Sequence, residues 1–267
     1  ITGNVSSGAQ SINATGNITE VAGGTSISVN AAGPQTITAG GTLTVQGGST
    51  GTNSFAQIVS SANQTINASG ISLQGGTGVT NNFAQILRTG GAGASQTVNA
   101  SSITITGGAS GSNNFARIQN DGSGVQTISG SPVIALTGGT GGAPDLGNFV
   151  QIISFGSQAI TAGNTTITAG VSGFNNNAAI QSPNQVITVG GDLALTGGGS
   201  ASTALRGGGA RIGGLAAGTG SPSSTNLLLT VSGNVNMTGG TAANAGANVG
   251  TNFLGGRRAL ARGPSPR

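Results

Sequence analysis

Residues 96–118 read "QTVNASSITITGGASGSNNFARI", and their apolar positions fall into three short groups separated by Gly, Asn and Ser. Val98 follows the opening Gln96 by two places. Ile103 and Ile105 then alternate with polar residues ahead of a Gly-Gly, and Phe115 stands three residues before Ile118. Alternation with a period of two marks a strand with one buried face, and the intervening Gly, Asn and Ser clusters are turn signals. The unit predicts three short strands joined by tight corners.

The same pattern recurs along the chain. Copies open at Gln10, Gln35, Gln64, Gln96, Gln126, Gln158 and Gln185, and an eighth opens on Leu227 in place of Gln. The single apolar residue becomes Ile37, Ile66, Val98, Ile128, Ile160, Ile187 and Leu229. The alternating pair becomes Leu43/Val45, Ile71/Leu73, Ile103/Ile105, Ile134/Leu136, Leu193/Leu195 and Val235/Met237. Phe55, Phe83, Phe115 and Phe149 each precede an Ile by three, at Ile58, Ile86, Ile118 and Ile152.

A period near 30 residues that drifts only in its loops belongs to a solenoid. The expectation is an all-β parallel β-helix of about eight coils, with three short strands per coil. Residues 1–254 form one solenoid domain and residues 255–267 a basic tail.

One coil of three strands has no core of its own, so its inward side chains are buried only by the coils above and below. With strands about 4.8 Å apart, eight coils make a rod of about 40 Å. Like then stacks on like. The expected core ladder runs through Ile37, Ile66, Val98, Ile128, Ile160 and Ile187, with Phe55, Phe83, Phe115 and Phe149 stacked inside one corner. Amide ladders are expected from the Gln column and from Asn81, Asn82, Asn113 and Asn114, as in other stacked β structures. The Gly-Gly pairs are expected to supply positive φ at a corner.

The units "QTITAGGTLTVQGG" and "QVITVGGDLALTGG" resemble those of filamentous-haemagglutinin-type right-handed β-helices, which are large secreted surface proteins and adhesins of Gram-negative bacteria. The resemblance spans roughly residues 10 to 240. It implies a secreted, extracellular or cell-surface β-solenoid of bacterial origin, and it carries over no particular functional residue.

Composition narrows the chemistry. Only 4% of residues are charged, against about 25% in ordinary globular domains, so the surface must consist of hydroxyls and amides. Cys, His, Trp, Tyr and Lys are all missing. The eight basic residues are Arg, and only the tail "GGRRALARGPSPR" gathers several, at Arg257, Arg258 and Arg262. That tail suits an anionic surface or polymer. A nucleic-acid surface, which needs clustered cations and stacking aromatics, is not expected. No apolar run approaches the roughly 18 residues of a membrane span. The chain opens on Ile1 and not Met, which points to a removed upstream segment, commonly a secretory signal. Eight N-x-S/T triplets, beginning at Asn4, Asn13 and Asn17, fit the chance rate in so Asn-, Ser- and Thr-rich a chain.

The four acids, Glu20, Asp121, Asp145 and Asp192, fall in four copies at unlike places. No paired general acid and base and no repeated Ca²⁺ ligand follows from such a distribution, so neither enzyme activity nor a cofactor is expected. Thr36/Thr38, Thr65/Asn67, Thr97/Asn99 and Thr127/Ser129 form an outward column of the kind found on ice-binding solenoids, but Ala159 and Val186 break it.

Neither end shows the helical periodicity of a cap, and "ITGNVSSGAQ" reads as part of a coil. Uncapped ends expose backbone groups that pair with further strands. The leading expectation is a secreted structural subunit whose partners are copies of itself, joined head to tail. Its joint would bring Ile1, Val5 and Glu20 to Val249, Leu254 and the tail arginines. The alternative is an adhesin passenger domain binding a host or surface ligand, with ice binding third.

Overall fold

The computed structural model describes residues 4–91, 93–143, 146–200, 208–215 and 224–250. Its named elements are all strands, and each pairs with its neighbours in parallel. The chain is a parallel β-solenoid in which each repeat lays one strand on each of three faces. The Gln face holds strands such as Gln96–Asn99 and Gln126–Ser129. The middle face holds Ser102–Thr106 and Val133–Thr137. The Phe face, named for the rings just ahead of its strands, holds Ala84–Arg88 and Ala116–Asn120.

Two strands, Gln35–Gln46 and Gln64–Gln74, run through the first corner without a break. They fuse the Gln and middle faces into one 14-stranded sheet, while the Phe face remains a separate sheet of nine. The rungs paired on both sides number about six, fewer than the eight coils counted from the repeats, because the first and last strands of the Gln and middle faces pair on one side only.

The register places like on like. Ile37, Ile66, Val98, Ile128, Ile160 and Ile187 follow one another as direct partners on the Gln face. All are buried in one continuous aliphatic cluster that also takes in the middle-face pairs from Leu43/Val45 to Leu193/Leu195 and the column Val29, Ile58, Ile86, Ile118, Ile152, Ile180 and Ile212. Burying each such side chain is worth about 2 kcal/mol, and none of that is available to a coil standing alone.

Two expectations are corrected. The Phe rings do not enter the aliphatic cluster. They stack on one another along the outside of the corner, with centroids 4.6, 4.7 and 4.9 Å apart and planes within 5° of parallel. The reason is parity. Successive strand residues point to opposite faces, so a Phe three places before an inward Ile belongs outside. Phe115 and Phe149 are buried by their neighbours, whereas Phe55 and Phe83 are half-buried, and the Arg117 guanidinium lies 4.5 Å above the Phe115 centroid.

The Gly-Gly pairs do not take positive φ. That conformation falls on Asn53, Asn81, Asn113 and Asn175, with φ between 52° and 60°. From Gly47/Gly48 to Gly197/Gly198 the paired glycines are required by close approach instead. A Cβ on Gly75 would collide with the Asn114 carbonyl of the next rung, and one on Gly107 with that of Asn148.

Candidate functional site

The inward column that opens each repeat is polar. Gln10, Gln35, Gln64, Gln96, Gln126, Gln158 and Gln185 lie in direct register and are buried. Each Nε2 from Gln35 onward donates to the Oε1 of the preceding rung, at 2.6 to 2.8 Å. The second Nε2 hydrogen of Gln64, Gln96 and Gln126 reaches a carbonyl of the Phe face, on Leu87, Gln119 and Ile153 respectively. The ladder thus also closes the corner between two faces. It stops at Leu227, where the Thr225 hydroxyl takes over the last position at 3.4 Å from Gln185 Oε1.

A second polar column lies at the turn before the Phe rings. Asn82, Asn114, Asn148 and Asn176 are buried, and the Oδ1 of each accepts the backbone N–H of its counterpart one rung earlier, at 2.6 to 2.8 Å. Ser200 continues the column by accepting from Asn176 N–H at 3.1 Å. Beside it, Asn113 Nδ2 donates to Asn81 Oδ1 and Asn81 Nδ2 to Asn53 Oδ1 on the outer side. These ladders hold the rungs in step and so position both ends of the rod.

At the last described rung, Asn226–Val231, Val235–Thr238 and Ala247–Gly250, the core residues are partly exposed. Val235 and Met237 stand in register with Leu193 and Leu195. The latter two are 0% and 1% exposed, whereas Val235 is 52% and Met237 48% exposed. Leu227, Leu229, Val231 and Val249 are likewise only partly buried against the cluster.

At the opposite end stand Gln10, Ile12, Ile18 and Glu20. Glu20 was expected at a charged interface, but it points inward in the column of Val45 and Leu73 and is fully buried. Its Oε1 accepts the Gln57 N–H at 3.2 Å while Oε2 has no partner. Burial pushes this carboxyl up to about 8, opposed by the Gln57 hydrogen bond. Val5, half-exposed, and Val249 are the two ends of one inward column. Ile1, Leu254, Arg257, Arg258 and Arg262 lie outside the described residues, as does Asp145.

Other ionisable groups lie along the solenoid. Arg88 points into the corner between the Phe and Gln faces, where its partners in register are Ser60 and Asn120. Its Nε donates to Asn120 Oδ1 and its Nη1 to the carbonyls of Thr89 and Gly91, while Nη2 is buried without a partner. Gly122 leaves room for the guanidinium, which desolvation pushes down and Asp121 partly restores. Asp121 accepts from Gln119 Nε2, and Asp192 accepts from Asn234 at the rim of the middle face. Among the described residues no three acidic side chains gather to hold a metal ion.

The outward Gln face changes character along its length. Thr36, Thr65, Thr97 and Thr127 follow in register and give way to Ala159, Val186 and Leu228. Val125, Ala159, Val186, Leu227 and Leu228 line a shallow depression of about 690 Å³ there. No helix among the described residues is long and apolar enough to cross a membrane. No protein-family model, curated protein or solved structure matches this chain, so geometry alone speaks to its role.

Proposed function

We propose that this chain is a structural subunit of a secreted or cell-surface fibre, built by joining β-solenoids end to end. The observation that carries the reading is the open core at Val235 and Met237, whose counterparts one rung earlier are sealed. Apolar side chains in that position gain the same burial as the interior only when another rung covers them. The likeness of the repeats to filamentous-haemagglutinin units supports a surface location.

Continuing the solenoid into a second copy would set Gln10–Ala14 on Asn226–Val231 and Ile18–Val21 on Val235–Thr238. Ile12 then follows Leu229 and Ile18 follows Val235, both aliphatic on aliphatic. Gln10 meets Leu227, and Glu20, which is covered in the single chain, meets Met237 only once the segment carrying Val5–Ser7 has yielded; both contacts are uncharged so long as Glu20 keeps its proton. In this arrangement Val5–Ser7 claims the place already held by Ala247–Gly250, because each is the Phe-face strand just below Ile27–Ala31. Val5 and Val249 are therefore alternatives and not partners. The three-residue strand Val5–Ser7, paired on one side only, is the one that yields. A contact of this heterologous kind does not close on itself and generates an open fibre.

Negative-stain electron microscopy tests the reading. Rods of indefinite length are expected from the whole chain and also from a chain lacking residues 1–9. Val235→Glu sets a charge at a half-exposed site, so the monomer should still fold while rods disappear. A whole chain that stays monomeric at high concentration would overturn the fibre. The second reading, a binding module of the adhesin kind, then takes its place, supported by the depression where Val186 and Leu228 are 53% and 62% exposed.

A further inference from the structure

The middle face carries a more regular outward array than the Gln face. Thr106, Thr137, Thr168, Thr196 and Thr238 occupy one column on five consecutive rungs, each the direct partner of the next. Two residues earlier on the same strands, and so on the same side, stand Thr104, Ala135, Thr166, Ala194 and Asn236. Rungs repeat at about 4.8 Å and the two columns lie about 6.6 Å apart along the strand. The stacked Phe rings, at 4.6 to 4.9 Å, show that the rungs keep that spacing.

We propose that this face binds ice. Neither column carries a charge, so nothing on it holds a tightly oriented hydration shell of its own. None of the five column hydroxyls takes part in a hydrogen bond within the protein, and each is free to bond water. Beside each hydroxyl is a methyl group, which water can only surround and so orders without bonding. Parallel strands in unbroken register make the array repeat in two directions. The rung spacing approaches the shorter repeat of a prism plane of hexagonal ice, so waters held along a column are spaced close to a lattice row.

A crystalline polysaccharide fits less well. Its sugar rings present apolar faces that aromatic side chains meet, and no strand of the middle face contains an aromatic residue. An anionic partner would need cations that the face lacks. Asp192, the one described acid at its rim, is engaged by Asn234. The proposal is independent of end-to-end joining, because the array runs along the side of the rod.

The test is ice growth in a solution of the purified whole chain, read as thermal hysteresis and as the grain size of ice held just below melting. The unaltered chain should produce hysteresis and hold grains small. Thr168→Lys and Thr137→Lys, which place a long charged side chain in the middle of the array, should each abolish both effects. Unfolding curves should confirm that these outward changes leave the solenoid folded. Thr127→Lys, a matched change on the Gln face, should keep full activity. Absence of any effect with the unaltered chain, survival of activity in either middle-face variant, or its loss in Thr127→Lys would each overturn the assignment.

Discussion

The Gln ladder and the Phe stack invert the usual order of a protein interior. Seven amide side chains run inside the solenoid, while four phenyl rings stack apart from the aliphatic cluster at one corner, two of them buried there and two half-buried. In an ordinary core an amide is costly because its donors and acceptors seldom all find partners. Here the partner of each Gln is the same residue one rung away, and self-complementarity solves the matching once for every rung. The rings face no such demand. They need only a flat neighbour at strand spacing, which the outside of a corner supplies as well as the inside. What decides inside from outside in a stacked coil is the parity of the position along the strand, more than the polarity of the residue.

The comparison can be broken most severely in the middle of the ladder. Gln96→Ala removes the donor to Gln64 Oε1 and to the Gln119 carbonyl and the acceptor of one of the two Gln126 Nε2 hydrogens, leaving these buried groups unmatched. At roughly 1 to 3 kcal/mol for each orphaned group, with a cavity added, the loss should be about 5 kcal/mol. Denaturant unfolding measures it.

Glu20 sharpens the contrast, being a buried polar side chain that has no like neighbour. Its carboxyl is raised from 4.5 to about 8 in the folded chain. Between those two values the unfolded chain has released its proton and the folded chain retains it. Stability is therefore full below pH 4.5, falls as pH rises toward 8, and levels off above it. The fall should be on the order of 4 kcal/mol, at about 1.4 per pH unit with some relief by relaxation. Glu20→Gln should flatten the melting temperature across this range, and an unchanged pH profile in that variant would assign the dependence to another group.

The Asn column should rank next. Asn114→Ala deprives the buried Asn82 N–H of its acceptor and the carbonyls of Gly78 and Ser110 of their donor, at about 3 kcal/mol. Phe115→Ala should cost less, about 2 kcal/mol, because the ring lies outside the aliphatic cluster, and its removal breaks two stacking contacts but leaves no aliphatic cavity. Thermal unfolding of the two variants side by side decides the order. A Phe115→Ala loss larger than that of Gln96→Ala would restore the aromatic column to the centre of the fold.

Much of this was legible in the repeat. The fixed offset from each Gln to Ile66, Val98 or Ile128, and the alternation of Ile103 with Ile105, are enough to define strands, faces and stacking. Parity was legible too, since an interval of three between Phe115 and Ile118 already sends the ring outward. Glu20 occupies the place that Val45 and Leu73 hold in the next copies, a match obscured by its charge. The middle-face array was open to the same reading, because Thr106, Thr137, Thr196 and Thr238 each stand directly before a Gly-Gly. Contacts between rungs were not legible. Nothing within one repeat reveals that Gly75 passes against the Asn114 carbonyl, so the glycines invited a conformational explanation that belongs to Asn81 and Asn113.

The register of the Gln and Asn columns also bears on how such a chain can change over evolutionary time. A residue inside a column faces its own kind above and below, so a point substitution is penalised twice, once with each neighbour. Duplication of a whole unit of about 30 residues meets no such resistance. The inserted rung arrives with its own Gln, its Asn and its closely packed glycines, matched in advance to both sides. Lineages carrying this architecture should therefore differ more readily in the number of their rungs than in the residues that line them.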